Sequence, residues 1–156
     1  MHIRMIAVGD RQPGWVGEAV GHYAKRLPVQ WRFRVQALPV AVRSGSGGAA
    51  RAVEAEGAKI LGLLKPGERL VALDEHGVEL TSAGLAERVA GWQADGRDVC
   101  LVIGGPDGLS RACLDRAELC WSLSRHTLPH GLARVLAVEQ LYRAWTLLTG
   151  HPYHRE

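Results

Sequence analysis

Along the chain, short apolar runs of β character alternate with longer segments whose apolar residues recur every three or four positions. The run HIRMIAVG (2–9) predicts a first strand, followed by a turn through Pro13 and Gly14. Val16 to Leu27 predicts a helix, stopped by Pro28. WRFRVQAL (31–38) alternates apolar and polar residues, as a half-exposed strand does. After the flexible AVRSGSGG, an Ala-rich stretch from about Ala49 to Leu64 predicts a second helix, ended by Lys65-Pro66-Gly67. LVALD (70–74) predicts a third strand, and Thr81 has the chemistry to N-cap a helix running to about Ala94. VCLVIG (99–104) is almost wholly apolar, the mark of a central strand covered on both faces. A short helix around Leu114 leads to LCWSLS (119–124). The last helix, from about Leu132 to Leu148, has a broad apolar face of Leu132, Val135, Leu136, Val138, Leu141, Tyr142, Trp145 and Leu148.

Five such alternations predict an α/β fold with a largely parallel sheet. There is no internal repeat or linker, and only residues 44–50 are of low complexity, so residues 1–156 are expected to form one domain. Open α/β sheets bind ligands beyond the carboxyl ends of their strands. Three of those ends carry unusual residues: Leu73-Asp74, the run Gly104 to Gly108, and Leu123 to His130. If the three strands are neighbours, these segments converge on one pocket.

Composition narrows the picture a little. Of 156 residues, 47% are hydrophobic and 22% charged, which suits a folded domain of ordinary size. No apolar run approaches membrane-span length and MHIRMIAVGD lacks a signal-peptide pattern, so a soluble, cytoplasmic protein is expected. Cys100, Cys113 and Cys120 form no CxxC pair and read as structural thiols. The net charge of +3 is too small to announce a polyanion partner, but its distribution is uneven. Residues 1–51 hold eight Lys and Arg against two acids, and residues 52–156 hold eleven against fourteen. Such asymmetry marks a surface that meets a polyanion, or simply follows from an Arg-rich composition.

The candidate chemistry is mixed. Gly104-Gly105-Pro106-Asp107-Gly108 suits either close approach to a ligand or a tight turn; with no following Lys-Ser/Thr, it is not a phosphate-cradling P-loop. Gly45 to Ala50 fits G-x-G-x-x-A, but Pro39 and loop residues intervene after the strand, and Asp74 lies far downstream. His151 and His154 are spaced like a ligand pair yet lack obvious partners, so no metal is expected. The ending HPYHRE groups aromatic, imidazole and guanidinium side chains, which suit stacking on a base and gripping its phosphate; a solvated tail is the plain alternative.

Taken together, AVG (7–9), DGRDVCLVIGGPDGLS (95–110), the WSLS and TLPH elements of 121–130, VEQLYRAW (138–145) and the terminal HPYHRE resemble the bacterial large-subunit ribosomal RNA pseudouridine-N3 methyltransferases (the methyltransferase H family) of the SPOUT superfamily. The resemblance runs end to end, in the family's order. It implies a sheet with helices on both faces and a C-terminal trefoil knot, with knot and cofactor site in roughly residues 70–156. It implies S-adenosyl-L-methionine as methyl donor, a homodimer, and 23S rRNA of the assembled 70S ribosome as substrate, methylated at a helix 69 pseudouridine. By position, the cofactor site is Leu73, Gly104 and Leu123, Ser124, Arg125, His126, Thr127 and Leu128, of which Arg125 and His126 transfer by backbone only. Arg143, Tyr153, His154 and His130 are the implied catalytic set. Leu73, Leu123 and Leu128 can sandwich adenine, while Gly104 lets the chain pass close. The loop Val42 to Gly48 lacks the family's lysines, which weakens it as a phosphate grip. Two rivals stand beside this reading: a dinucleotide oxidoreductase built on residues 45–50, and a ribosome-binding factor without activity.

Overall fold

In the computed structural model, residues 1–155 are described. Five strands, β1 (Ile3–Val8), β2 (Arg34–Leu38), β3 (Arg69–Glu79), β4 (Val99–Ile103) and β5 (Leu119–Ser122), form one parallel sheet in the order β2-β1-β4-β3-β5. They alternate with helices α1 (Gly14–Ala24), α2 (Gly48–Leu63), α3 (Ser82–Asp95), α4 (Arg111–Arg116) and α5 (His130–Thr149). A further 3₁₀ turn at Pro152–Arg155 ends the described chain, and Glu156 of the HPYHRE ending lies outside the described residues.

Side-chain parity along the strands sorts the helices into two layers. Ile3, Met5, Ala7, Val71, Leu73, Val99, Leu101 and Ile103 pack with Leu85 and Val89 of α3 and with Val138 and Leu141 of α5, while Val20 and Tyr23 of α1 join the same core. The alternate residues Ile6, Val8, Leu70, Ala72, Cys100 and Val102 pack with Ile60 of α2 and Cys113 of α4. Helices therefore cover both faces, and β4, apolar throughout, is buried at every position. Arg4, on the second face, is 7% exposed and forks onto Glu68 at 2.7 and 2.6 Å; Glu68 also accepts the Lys65 backbone N–H. Burial pushes the Cys100 thiol up to about 12, fitting an inert core residue.

Three local expectations are corrected. The second strand starts at Arg34, because Val29–Trp31 forms a 3₁₀ turn that ends with Arg32 in the left-handed region at φ 45°. β3 continues past Asp74 to Glu79, since Asp74 to Gly77 loop out before Val78 resumes pairing with Trp121 of β5. Gly77 permits this: a Cβ there would lie 2.5 Å from the Cys120 carbonyl oxygen. In α5 the apolar face is only half right. Val138, Leu141 and Tyr142 are buried, but Leu132, Leu136 and Leu148 are 36–40% exposed while Arg134, Glu139 and Thr146 are buried.

Candidate active site

Leu73, where β3 loops out, lies beside the carboxyl ends of β4 and β5, so the three expected segments do converge. They enclose a cavity of about 190 Å³ with the start of α5 as its fourth side. Leu73, Ile103, Trp121, Leu123 and Leu128 give it apolar surface, and Gly104, Gly105, Ser124, His126, Thr127 and His130 also line it. Of the expected cofactor residues only Arg125 does not line it; its guanidinium turns outward to Glu79 at 2.7 Å.

The 123–128 loop is shaped locally. The Ser122 hydroxyl donates to the Ser124 carbonyl at 3.0 Å, and the Ser124 hydroxyl accepts the His126 N–H at 2.9 Å. Across the cavity, the Asp74 carboxylate accepts the His76 N–H at 3.0 Å, and Glu75 accepts the Thr127 hydroxyl at 3.1 Å. Asp74 and Glu75 both line the cavity; Asp74 stood in a strand-end segment expected to converge there, Glu75 did not, and neither was given a site role. Their position at a strand's carboxyl end was the available signal; the four-residue loop-out that aims them was not visible.

The glycine run acts chiefly as a turn. The Gly108 N–H donates to the Gly105 carbonyl at 3.0 Å, with Gly108 at φ 81°. Gly104 lacks a side chain for a different reason than expected: a Cβ there would sit 2.4 Å from the Gly108 carbonyl carbon. Its smoothness admits the returning turn rather than only a ligand. Behind the turn, the buried Glu56 carboxylate lies 3.0–3.1 Å from where a Gly105 Cβ would stand. Arg43 joins Glu56 at 2.9 Å to Asp107 at 2.7 Å, holding the turn against α2.

The loop 44–50 is likewise closed on itself. Arg51 donates to the Ser44 and Ser46 carbonyls at 3.1 and 3.0 Å, and Gly47 caps α2 in the left-handed region. A phosphate cradle needs converging N–H groups, and here carbonyls converge on a cation.

His130 opens α5 with its side chain half-buried at the cavity. Burial, reinforced by the neighbouring Arg134, holds its imidazole below the ordinary value, against a hydrogen bond with the Gly104 backbone. Arg134 is 5% exposed, and its Nη2 donates to the Val8 and Gly9 carbonyls at the end of β1.

The remaining expected catalytic residues are elsewhere in this chain. Arg143 lies 13 residues along α5 from His130, about 20 Å at 1.5 Å per residue. There it pairs with Glu139 at 2.8 Å and stacks over Tyr153, whose hydroxyl donates to Glu139 at 3.0 Å. Burial works against the Arg143 charge, but the Glu139 bonds outweigh it and raise its pKa. Tyr153 is pushed up by burial and by Glu139. The tail is thus docked: Tyr153 packs on Tyr142 at 4.6 Å between ring centroids, and His151 Nδ1 accepts the Tyr153 N–H. His154 Nδ1 is buried without a hydrogen-bond partner among the described residues. No cluster of three or more His, Cys, Asp or Glu placed to hold a metal occurs among those residues.

The family model described as "Predicted SPOUT methyltransferase" matches residues 1–154. The chain belongs to the SPOUT methyltransferase family. Its curated relatives include a protein of Teredinibacter turnerae, 52% identical across 99% of this chain and all of the relative, and one of Thioalkalivibrio sulfidiphilus, 47% identical across all of both. Each is named ribosomal RNA large subunit methyltransferase H. Among solved structures, a probable methylase family protein from Haemophilus influenzae aligns with TM-score 0.57 at 13% identity, over 97% of this chain and 69% of that one. The SpoU methyltransferase AviRb from Streptomyces viridochromogenes gives 0.51 at 17%, over 96% and 61%. At those identities the structures speak for the fold, and the observed α/β architecture is that of SPOUT methylases.

Proposed function

We propose that this SPOUT methyltransferase transfers the methyl group of S-adenosyl-L-methionine to N3 of a pseudouridine in helix 69 of 23S rRNA, on the assembled 70S ribosome in the cytoplasm. The observation that carries this reading is the cavity at the loop-out of β3 and the ends of β4 and β5, which gathers seven of the eight residues expected to hold the donor. The full-length likeness to rRNA large subunit methyltransferases supports the substrate. No helix among the described residues is long and apolar enough to cross a membrane.

The cavity suits the donor chemically. Leu73, Leu123 and Leu128 offer apolar surface to adenine, and the Asp74 and Glu75 carboxylates face a ligand that carries a sulfonium and an ammonium. When bound, the donor supplies an electrophilic methyl group. The chain's own work is to orient that methyl and to manage the proton on N3, an imide nitrogen protonated at neutral pH. In this reading His130, which lines the cavity and whose pKa burial lowers, accepts that proton.

Arg143, Tyr153 and His154 hold the base in this reading, and a second copy supplies them. Within one chain Arg143 stands about 20 Å along α5 from His130, with Tyr153 stacked against it, beyond the reach of a side chain. The exposed leucines 132 and 136, one turn apart on α5, leave apolar surface for that second copy to cover. A C-terminal trefoil knot, within roughly residues 70–156, belongs to the same reading.

The test is methyl transfer from radiolabelled S-adenosyl-L-methionine to 70S ribosomes from cells lacking this gene, followed by mass spectrometry of 23S rRNA. One added methyl on the helix 69 pseudouridine is expected. Incorporation elsewhere, or none, overturns the assignment.

A further inference from the structure

Charge is neutralised unevenly over this molecule. Arg43, Arg69, Arg97, Arg111, Arg125 and Arg143 are each held by a carboxylate. Lys25, Arg26, Arg32 and Arg34 are exposed, and among the described residues none pairs with one. No acid occurs between Glu18 and Glu54, a span that contains all four.

These cations share one end of the fold. Lys25 and Arg26 follow α1, and Arg32 and Arg34 flank the start of β2. Trp31, 1% exposed, and buried Leu27 pin the turn between them, so the charges stand on a fixed support. Arg32 and Arg34 line a hollow of about 160 Å³ with Lys65 and His2. Its two carboxylates are already engaged: Glu68 by Arg4, and Asp98 by the His2 N–H at 2.8 Å. Capping a helix dipole accounts for Lys25 and Arg26, and guarding a sheet edge accounts for Arg34. Neither accounts for Arg32, held at φ 45° beside Arg34. The strip also adjoins the tail cluster, since the Arg26 guanidinium lies 6.0 Å from the Tyr142 ring centroid and Tyr142 packs on Tyr153.

We propose that Lys25, Arg26, Arg32 and Arg34, with Lys65, form a docking surface for the phosphodiester backbone of RNA flanking the target nucleotide. This rests on the rRNA reading above. Arg forks bind phosphate oxygens bidentately, and unpaired cations on rigid support lose little on binding. Where the tail cluster of one copy reaches the other's cavity, the strip arrives beside it, which places the grip next to the reacting base.

The test pairs two charge-removing variants, Arg32→Gln/Arg34→Gln and Lys25→Gln/Arg26→Gln, with Lys59→Gln, an exposed position on α2, as control. With 70S ribosomes as substrate, each double variant is expected to raise KM about five- to tenfold and leave kcat and donor affinity unchanged. The slope of log affinity against log salt becomes shallower by about 1 to 2. KM and salt slope equal to those of the control overturn the surface. Binding of a fluorescein-labelled rRNA stem-loop, read by anisotropy, decides the matter even if the wild type transfers no methyl group. Weakening by the double variants alone supports the strip, whereas equal affinity, or preference for phosphatidylglycerol vesicles over the RNA, overturns it.

Discussion

Thr127 and Glu75, 52 residues apart, meet at 3.1 Å and tie the loop after β5 to the loop-out of β3 across the cavity mouth. Both side chains are exposed, so the bond contributes little to folding. Its value lies in holding the mouth at one width before a ligand arrives. Thr127→Val is expected to weaken S-adenosyl-L-methionine binding about three- to tenfold by calorimetry. The melting temperature should stay within about 1 °C of wild type. In a double-mutant cycle, Thr127→Val should lose much less affinity on a Glu75→Ala background, where the bond is already gone, than on the wild type.

Gly104 tests whether the turn or the open space matters. An added Cβ at 2.4 Å from the Gly108 carbonyl carbon has backbone, not a flexible side chain, in its way. Gly104→Ala is therefore expected to cost about 3 kcal/mol in urea unfolding. It should lower methyl transfer about a hundredfold by displacing the turn. Gly108→Ala, at φ 81° but with nothing near its Cβ, should cost only about 1 kcal/mol.

These glycines show where sequence reading ran out. The strand ends were legible because β4 is apolar throughout and the segments after Leu73, Ile103 and Ser122 break pattern abruptly. The need for Gly104 and Gly77 was not, because it arises from the Gly108 and Cys120 backbones, which approach only after the strands have paired. The face of α5 misled for a similar reason. Periodicity credits Leu132 and Leu136, whereas the burial of Arg134 and Glu139 depends on the carbonyls of Val8 and Gly9 and on the Tyr153 hydroxyl. The Arg143 and Tyr153 assignments came from the family resemblance, and the 13 positions between His130 and Arg143 already put those two about 20 Å apart once both fall on one helix.

The Arg43, Glu56 and Asp107 network is expected to divide unequally under mutation. Glu56 is 3% exposed, and removing it leaves Arg43 only an exposed partner. Glu56→Ala should cost about 3 kcal/mol in urea unfolding. Asp107→Asn, on the exposed side, should cost less than about 1 kcal/mol. If both variants cost the same, the network does not anchor the turn through α2.

The depressed imidazole of His130 carries a signed pH dependence. Its folded pKa lies below the ordinary 6.5, so as pH falls the unfolded chain takes up that proton first. Stability from this group is intact above about 6.5 and declines as pH drops from there to the folded value. Glu68 and Asp98, lowered from 4.5 and 3.8, add their own loss only in more acid solution. His130→Asn should flatten the stability curve between pH 7 and 5, followed by chemical unfolding, and leave the acid limb in place. In methyl transfer, the same variant should lose the acid-side fall of kcat that protonation of a neutral base produces.

The separation of His130 from Arg143 makes its own prediction. Leu128→Glu puts a charge into the cavity, and a variant ending at Gly150 removes the tail, so each alone should be inactive. Mixed and allowed to exchange subunits, they form hybrids in which one site has an intact cavity facing an intact tail. Random exchange gives hybrids in about half of the dimers, each with one working site of two, so about a quarter of wild-type activity should return. Activity that fails to return, with hybrids confirmed by native mass spectrometry, would falsify the shared site. The tail would then have to act on its own chain, and α5 would have to carry its effect along the full 13 residues to His130.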